Sequence, residues 1–164
     1  MEKRDLYDKD KKLIGKTIYK GEEIPEGYYI MVVLTMIRNS KGEYLIQKRS
    51  KEKGGEYGAT GGHPKTGETG LEGAITEIKE EIGLDVAKEE MRLLFEGKID
   101  EEQVFFELYF LERDFKIEEL ILQKEEVEFV EWMTLEKIEN LIQSGKFKKN
   151  HIEEVYRTID IVGK

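Results

Sequence analysis

Gly62-His63-Pro64-Lys65-Thr66-Gly67-Glu68-Thr69-Gly70-Leu71-Glu72-Gly73-Ala74-Ile75-Thr76-Glu77-Ile78-Lys79-Glu80-Glu81-Ile82-Gly83-Leu84 carries the most information in this chain. Leu71, Ile75, Ile78 and Ile82 recur at spacings of four, three and four, which makes one apolar helix face. Thr69 followed by Glu72 is a capping box, and Gly83 suits a helix end, so the spacing predicts a helix over 69–82. Glu77, Glu80 and Glu81 lie three and four residues apart on it, and their carboxylates rise from one patch of surface. Like charges so placed destabilise a helix by roughly a few tenths of a kcal/mol per pair. A divalent cation turns that repulsion into chelation. Gly62 to Gly67 bring the chain to the helix through a turn whose glycines permit close backbone approach, and a carbonyl there is a further possible ligand.

The flanking sequence predicts the other elements. Leu6–Tyr7 and Leu13–Tyr19 surround a polar stretch and suggest a small hairpin. Pro25-Glu26-Gly27 is a turn; Tyr28 to Ile37 is rich in β-branched and aromatic residues and is expected to be a long buried strand. Asn39-Ser40-Lys41-Gly42 turns it into a partner strand, Glu43 to Arg49, and a glycine-rich loop is expected from Lys53 to Gly67. Strands are expected at Arg92–Ile99, Gln103–Leu111 and Val127–Met133. Helices are expected at Thr134–Gln143 and Asn150–Ile161, the second opened by Asn150 with Glu153 at the capping-box offset. Mixed strands with helices packed on both sides give an α/β layered domain. With 164 residues and two prolines, one domain spanning 1–164 is expected, with residues 1–27 as an N-terminal hairpin extension.

Composition narrows the chemistry. The chain has no cysteine, which removes disulfides, thiolate metal sites and cysteine nucleophiles together. Only His63 and His151 remain as imidazoles, so any metal must be held mainly by oxygen; hard oxygen ligands favour magnesium, manganese or calcium. The 36 acids against 27 bases, a net charge of −9, argue against a nucleic acid polymer as main partner. They leave room for a small phosphorylated molecule, because a bound cation reverses the local sign of an acidic cleft. No apolar run reaches the ~20 residues of a membrane span, and the first residues lack the apolar core of a secretory signal, so a cytoplasmic location is expected.

Gly62, Glu68 and the run Thr76-Glu77-Ile78-Lys79-Glu80-Glu81-Ile82-Gly83-Leu84 closely resemble the Nudix box: glycine, five residues, glutamate, seven residues, then Arg-Glu-aliphatic-X-Glu-Glu-X-Gly-aliphatic. Eight of nine fixed positions match over 62–84. The resemblance implies a Nudix-type α/β/α sandwich with a mixed sheet. It implies a hydrolase that cleaves a phosphoanhydride bond in a diphosphate, commonly a nucleoside diphosphate linked to another group, with Mg2+ (or Mn2+) as cofactor. Glu77, Glu80 and Glu81 then become metal-binding carboxylates, the Gly62 carbonyl a further ligand, and Glu68 the glutamate bracing the loop. Thr76 departs from the pattern, where the family carries an arginine that pairs with a box glutamate. Threonine is neutral and makes no bidentate contact, so either another cation such as Lys79 or Lys48 substitutes or activity is reduced.

Outside the box, Glu125, Glu126 and Glu128 precede Trp132. Glu126 best resembles the family's loop glutamate and joins Glu77 as a candidate catalytic residue, either general base or metal ligand. Lys48, Arg49 and Lys53 are candidates for substrate phosphates, Arg49 first. His63 is expected to brace the loop, Trp132 to lie in the core, Lys146, Lys148 and Lys149 to form a solvated helix junction, and His151 to sit without special role in the last helix.

Leu6-Tyr7-Asp8, Gly15-Lys16, Pro25-Glu26-Gly27, Tyr44 to Ser50 and Gly62-His63-Pro64 resemble the branch related to isopentenyl-diphosphate isomerase. That raises an isomerase as a competing function. It is disfavoured, because the isomerase's cysteine aligns with Gly61 and its histidine-rich metal site cannot be built from two histidines. The segment Lys53-Gly54-Gly55-Glu56-Tyr57 is also shorter than in such relatives and lacks their tryptophan. A third possibility, recommended by Thr76 alone, is a domain that binds a nucleotide without turning it over. A homodimer is possible, as in many relatives.

Overall fold

The computed structural model describes residues 2–163. Strands β1 (Lys3–Tyr7) and β2 (Leu13–Tyr19) pair antiparallel as a separate two-stranded sheet, tied to the main sheet through a bridge from Tyr7 to Tyr29. The main sheet has seven strands: β3 (Ile30–Arg38), β4 (Tyr44–Arg49), β5 (Tyr57–Gly58), β6 (Thr60–Gly62), β7 (Arg92–Ile99), β8 (Val104–Glu112) and β9 (Val127–Met133). β3 and β8 run parallel and the other pairs antiparallel, so the sheet is mixed. β3 and β4 share one register pair, Arg38 with Tyr44, and then part: β3 takes β6, and β4 takes β5 and β9.

Strand alternation sorts the side chains into two layers. Ile37, Leu45 and Leu111 face helix α1 (Gly70–Ile82) and pack with its Ile78 and Ile82. Leu34, Met36, Tyr44, Ile46, Leu108 and Phe110 face the other way, onto Ile138 of α2 (Leu135–Gln143) and Val155 and Ile159 of α3 (Lys149–Val162). The result is the expected α/β/α sandwich. Helix α1 starts at the predicted capping box, with the Thr69 side chain accepting from Glu72 N and the Glu72 carboxylate accepting from Thr69 N. It ends at Gly83, whose left-handed φ of 73° favours glycine.

Three expectations need correction. β3 begins at Ile30 rather than Tyr28, because Tyr29 pairs with the hairpin instead. The stretch from Lys53 to Gly67 is not loop throughout, since β5 and β6 lie inside it. Glycines and Ala59 leave no period-two signal, yet β6 is held because Gly61 lets two backbones approach closely: a Cβ there would lie 2.5 Å from the Val33 carbonyl oxygen. Finally, α3 is not capped by Asn150. Lys148 is the cap residue, its N–H fixed to the Tyr57 carbonyl at 2.7 Å, and Asn150 falls within the first turn.

Candidate functional site

Helix α1 packs its apolar face onto the sheet and carries Glu77 and Glu81 to the edge of that contact, beside the glycines of β6. Gly62 lies so close to Glu77 that a Cβ would sit 2.5 Å from the carboxyl carbon. Glu81 is 8% exposed; its Oε1 faces Gln47 Nε2 at 3.4 Å, and Gln47 also donates to the Ala59 carbonyl at 3.0 Å. Gln47 and Arg49 share the α1-facing side of β4, so the strand's alternation brings both toward Glu81.

Burial dominates the electrostatics. It pushes Glu77 up to about 8, with Glu81 next door adding to the rise. It pushes Glu81 up to about 7, against the hydrogen bonds from Gln47 and the Gly61 backbone and the charge of Arg49; Glu126 adds to the rise. Among the described residues neither acid has an ion-pair partner. Two desolvated carboxylates in repulsion, an all-oxygen donor set and a backbone cradle at Gly62 fit a hard divalent cation. Glu80 is not gathered with them: it is exposed and paired with Lys65 at 2.6 Å, and among the described residues no three carboxylates or imidazoles form a ready-made chelating group.

Glu126 is anchored through its backbone, accepting from Ser50 N at 3.0 Å and donating to the Gln123 carbonyl, and its carboxylate holds Lys53 at 3.3 Å. It lies near enough to Glu81 to raise it. Lys53 is therefore engaged by a site acid, and Arg49 donates to the Lys53 carbonyl at 3.3 Å. Lys48 stands apart. It points to the opposite face of β4, over the Tyr57 ring and toward Glu128 at 3.4 Å, because successive residues of a strand alternate.

Thr76 donates its hydroxyl to Glu68 Oε2 at 2.5 Å, while Glu68 Oε1 accepts from Lys65 N at 2.7 Å. The bracing glutamate is thus held without the family's arginine. Neither suggested substitute cation takes part: Lys79 pairs with Asp85 and Lys48 with Glu128. His63 braces the loop as expected, with Nδ1 3.2 Å from the Met31 carbonyl, and burial lowers it to about 4. Trp132 packs at the α1-side core beside Phe115.

Sequence reasoning missed four residues, Gln47 beside Glu81 being the first. His151 is buried, its Nδ1 accepting from Ala59 N at 3.1 Å, and burial lowers it to about 3. Lys148 is not a solvated junction residue: it is half-buried among Arg49, Glu56 and Glu81. Arg4 of β1 comes near Glu77 and His63. Alternation in β1 and β4 was the available signal for Arg4 and Gln47; nothing local marked Lys148 or His151. A separate open depression of about 700 Å³ runs along the outer side of α1, lined by Thr76, Lys79, Glu80 and Arg113 among others, away from the buried acids.

The model of the NUDIX domain matches residues 29–155, and the chain belongs to the Nudix family. It is 36% identical to an uncharacterised Nudix hydrolase of Listeria monocytogenes and 38% to one of Listeria innocua, each over 90% of this chain and 88% of the relative. The fold is similar to that of DR0079 from Deinococcus radiodurans, with TM-score 0.77 and 23% identity over 95% of this chain and 98% of that one. It is also similar to the NUDIX domain of Shewanella oneidensis NrtR, crystallised with ADP ribose, with TM-score 0.65 and 12% identity over 87% and 92%. Family and relatives make this protein a hydrolase, of the class that cleaves pyrophosphate bonds.

Proposed function

We propose that the protein hydrolyses a phosphoanhydride bond in a small diphosphate, most readily a nucleoside diphosphate linked to another group, with Mg2+ or Mn2+ held by Glu77, Glu81 and the Gly62 carbonyl. The observation that carries this reading is the buried Glu81 and half-buried Glu77 set against β6. Glu80 joins the ligand set by exchanging Lys65 for the cation. When bound, the cation lowers the pKa of water and neutralises charge on the phosphoryl oxygens. Glu126 accepts the proton of the attacking water, its position set by backbone bonds to Ser50 and Gln123. Glu68, held by Thr76 and Lys65 N, keeps the Gly62 turn in place. Arg49 contacts substrate phosphate and Lys53 tunes Glu126. That the Shewanella domain holds ADP ribose, a compound of the proposed class, supports the choice of substrate.

Isomerisation is disfavoured by space as well as composition. A cysteine in place of Gly61 would drive its Cβ into the β3 backbone. The test is a panel of nucleotide sugars, dinucleotides, nucleoside diphosphates and allylic diphosphates with Mg2+, run on the wild type and Glu81→Gln. Phosphomonoester products from the wild type and a loss of about a hundredfold or more in the variant are expected. An isomerised allylic diphosphate, or unchanged hydrolysis by Glu81→Gln, would refute the proposal.

A further inference from the structure

A diphosphate brings several negative charges, and most cations near the site are already occupied. Lys65 holds Glu80, Lys79 holds Asp85, Lys53 holds Glu126 and Lys48 holds Glu128. Arg4 and Lys148 differ, as does Arg49, whose Nε donates only to the Lys53 carbonyl. Arg4 and Lys148 are each half-buried within reach of acids, Arg4 of Glu2 and then Glu77, Lys148 of Glu56 and then Glu81, yet among the described residues neither forms an ion pair. Taking a cation out of water without a fixed counter-ion is unfavourable, so the arrangement is better suited to a bound anion than to the empty site.

Backbone contacts hold both in place. On either side of Arg4, the Lys3 carbonyl accepts from Thr66 N at 3.0 Å and the Asp5 carboxylate accepts from Gly67 N at 2.9 Å. These two bonds fasten β1 to the turn that feeds α1. Arg4 shares a strand face with Leu6, which is 2% exposed, so its side chain turns inward, and its Nε is buried with no hydrogen-bond partner. Its guanidinium lies within electrostatic reach of Glu2, Glu77 and His63. Lys148 is fixed by its N–H to the Tyr57 carbonyl, and a Cβ built on Gly58 would lie 3.6 Å from the Lys148 Cβ. Gly58 leads to Ala59, whose carbonyl takes Gln47, and Gln47 meets Glu81. Lys148 therefore stands on the Glu81 side, beside Arg49, as Arg4 stands on the Glu77 side. His63 feels the charge of both.

We propose that Arg4 of the N-terminal hairpin and Lys148 at the entry to α3 form an anion clamp that binds the two phosphoryl groups of the substrate, Arg4 on the Glu77 side and Lys148 on the Glu81 side. The clamp deepens the hydrolase reading and rests on it. It gives the hairpin a purpose beyond packing: carrying a guanidinium fork to a phosphate.

The experiment is calorimetric titration of the non-hydrolysable probe imidodiphosphate, with Mg2+, into wild type, Arg4→Gln and Lys148→Gln, with unfolding temperatures measured alongside. Each glutamine variant is expected to bind about ten- to a hundredfold more weakly, as loss of a charge-assisted hydrogen bond implies. On a hydrolysed diphosphate, KM rises and kcat stays within a few-fold. Should a glutamine variant not fold, the charge-keeping variants decide: Lys148→Arg binds near wild type, while Arg4→Lys, lacking the fork, binds several-fold more weakly. Wild-type binding matched within twofold by the variants overturns the clamp and leaves the hydrolase standing. A wild type that neither binds the probe nor hydrolyses any diphosphate overturns both.

Discussion

At the scale of single residues, the main departure from the family pattern is at position 76. The usual arginine there couples charge to charge, whereas Thr76 couples a hydroxyl to Glu68 at 2.5 Å. The short side chain suffices because Glu68 is already drawn in by Lys65 N. Thr76→Val keeps the shape and removes the donor, so it should lower stability by about 1–2 kcal/mol and slow hydrolysis, whereas Thr76→Ser should preserve both. Thermal melts and initial rates on the three proteins check this; a valine variant as active and stable as wild type contradicts it. His151 yields a second expectation. Buried and neutral, it is lowered to about 3 from 6.5, so the folded form binds fewer protons than the unfolded one across that range. Its contribution is fully present above pH 6.5 and is lost as pH falls toward 3, by an amount on the order of a few kcal/mol. In urea melts across this range, His151→Gln should show a shallower acid-side decline than wild type; an identical slope would rule the assignment out.

At the scale of elements, β6 is the piece on which the site's geometry hangs. It aligns Gly61 with Leu34 and Gly62 with Val33, and so sets the loop against Glu77. Gly61→Ala must part β3 from β6 or distort both, at about 1–3 kcal/mol, and should reduce activity more than its stability loss explains. Denaturant melts together with kcat/KM decide it, and an alanine variant of full stability would show that the contact is loose. β6 also shows where the sequence is hard to read. Helix α1 was legible to its caps because a 3.6-residue apolar period and a capping box are local signals. β5 and β6 were not, since Tyr57-Gly58-Ala59-Thr60-Gly61-Gly62 carries almost no side-chain alternation and its pairing is set by distant β3 and β4. The start of α3 was misplaced for the same reason: the bond that caps it comes from Tyr57, far away in the chain.

At the scale of the whole molecule, the layers divide the work. Helix α1 supplies Glu77 and Glu81, β6 supplies the glycines set against them, β4 supplies Gln47 and Arg49, and the segment before β9 supplies Glu126. The hairpin and the entry to α3 bring Arg4 and Lys148 from opposite ends of the fold. The acids in the box were legible as a cluster and the cations were not, because their proximity is created only by folding. The central claim is that Glu77 and Glu81 do their work through a divalent cation. It is tested most directly by following diphosphate hydrolysis by wild type and Glu81→Gln as Mg2+ is titrated into metal-free protein. The account predicts no turnover in chelator, saturable activation of the wild type, and a rate lower by about a hundredfold or more in the variant at every Mg2+ concentration. Full activity in chelator, or superimposable curves for the two proteins, would contradict it.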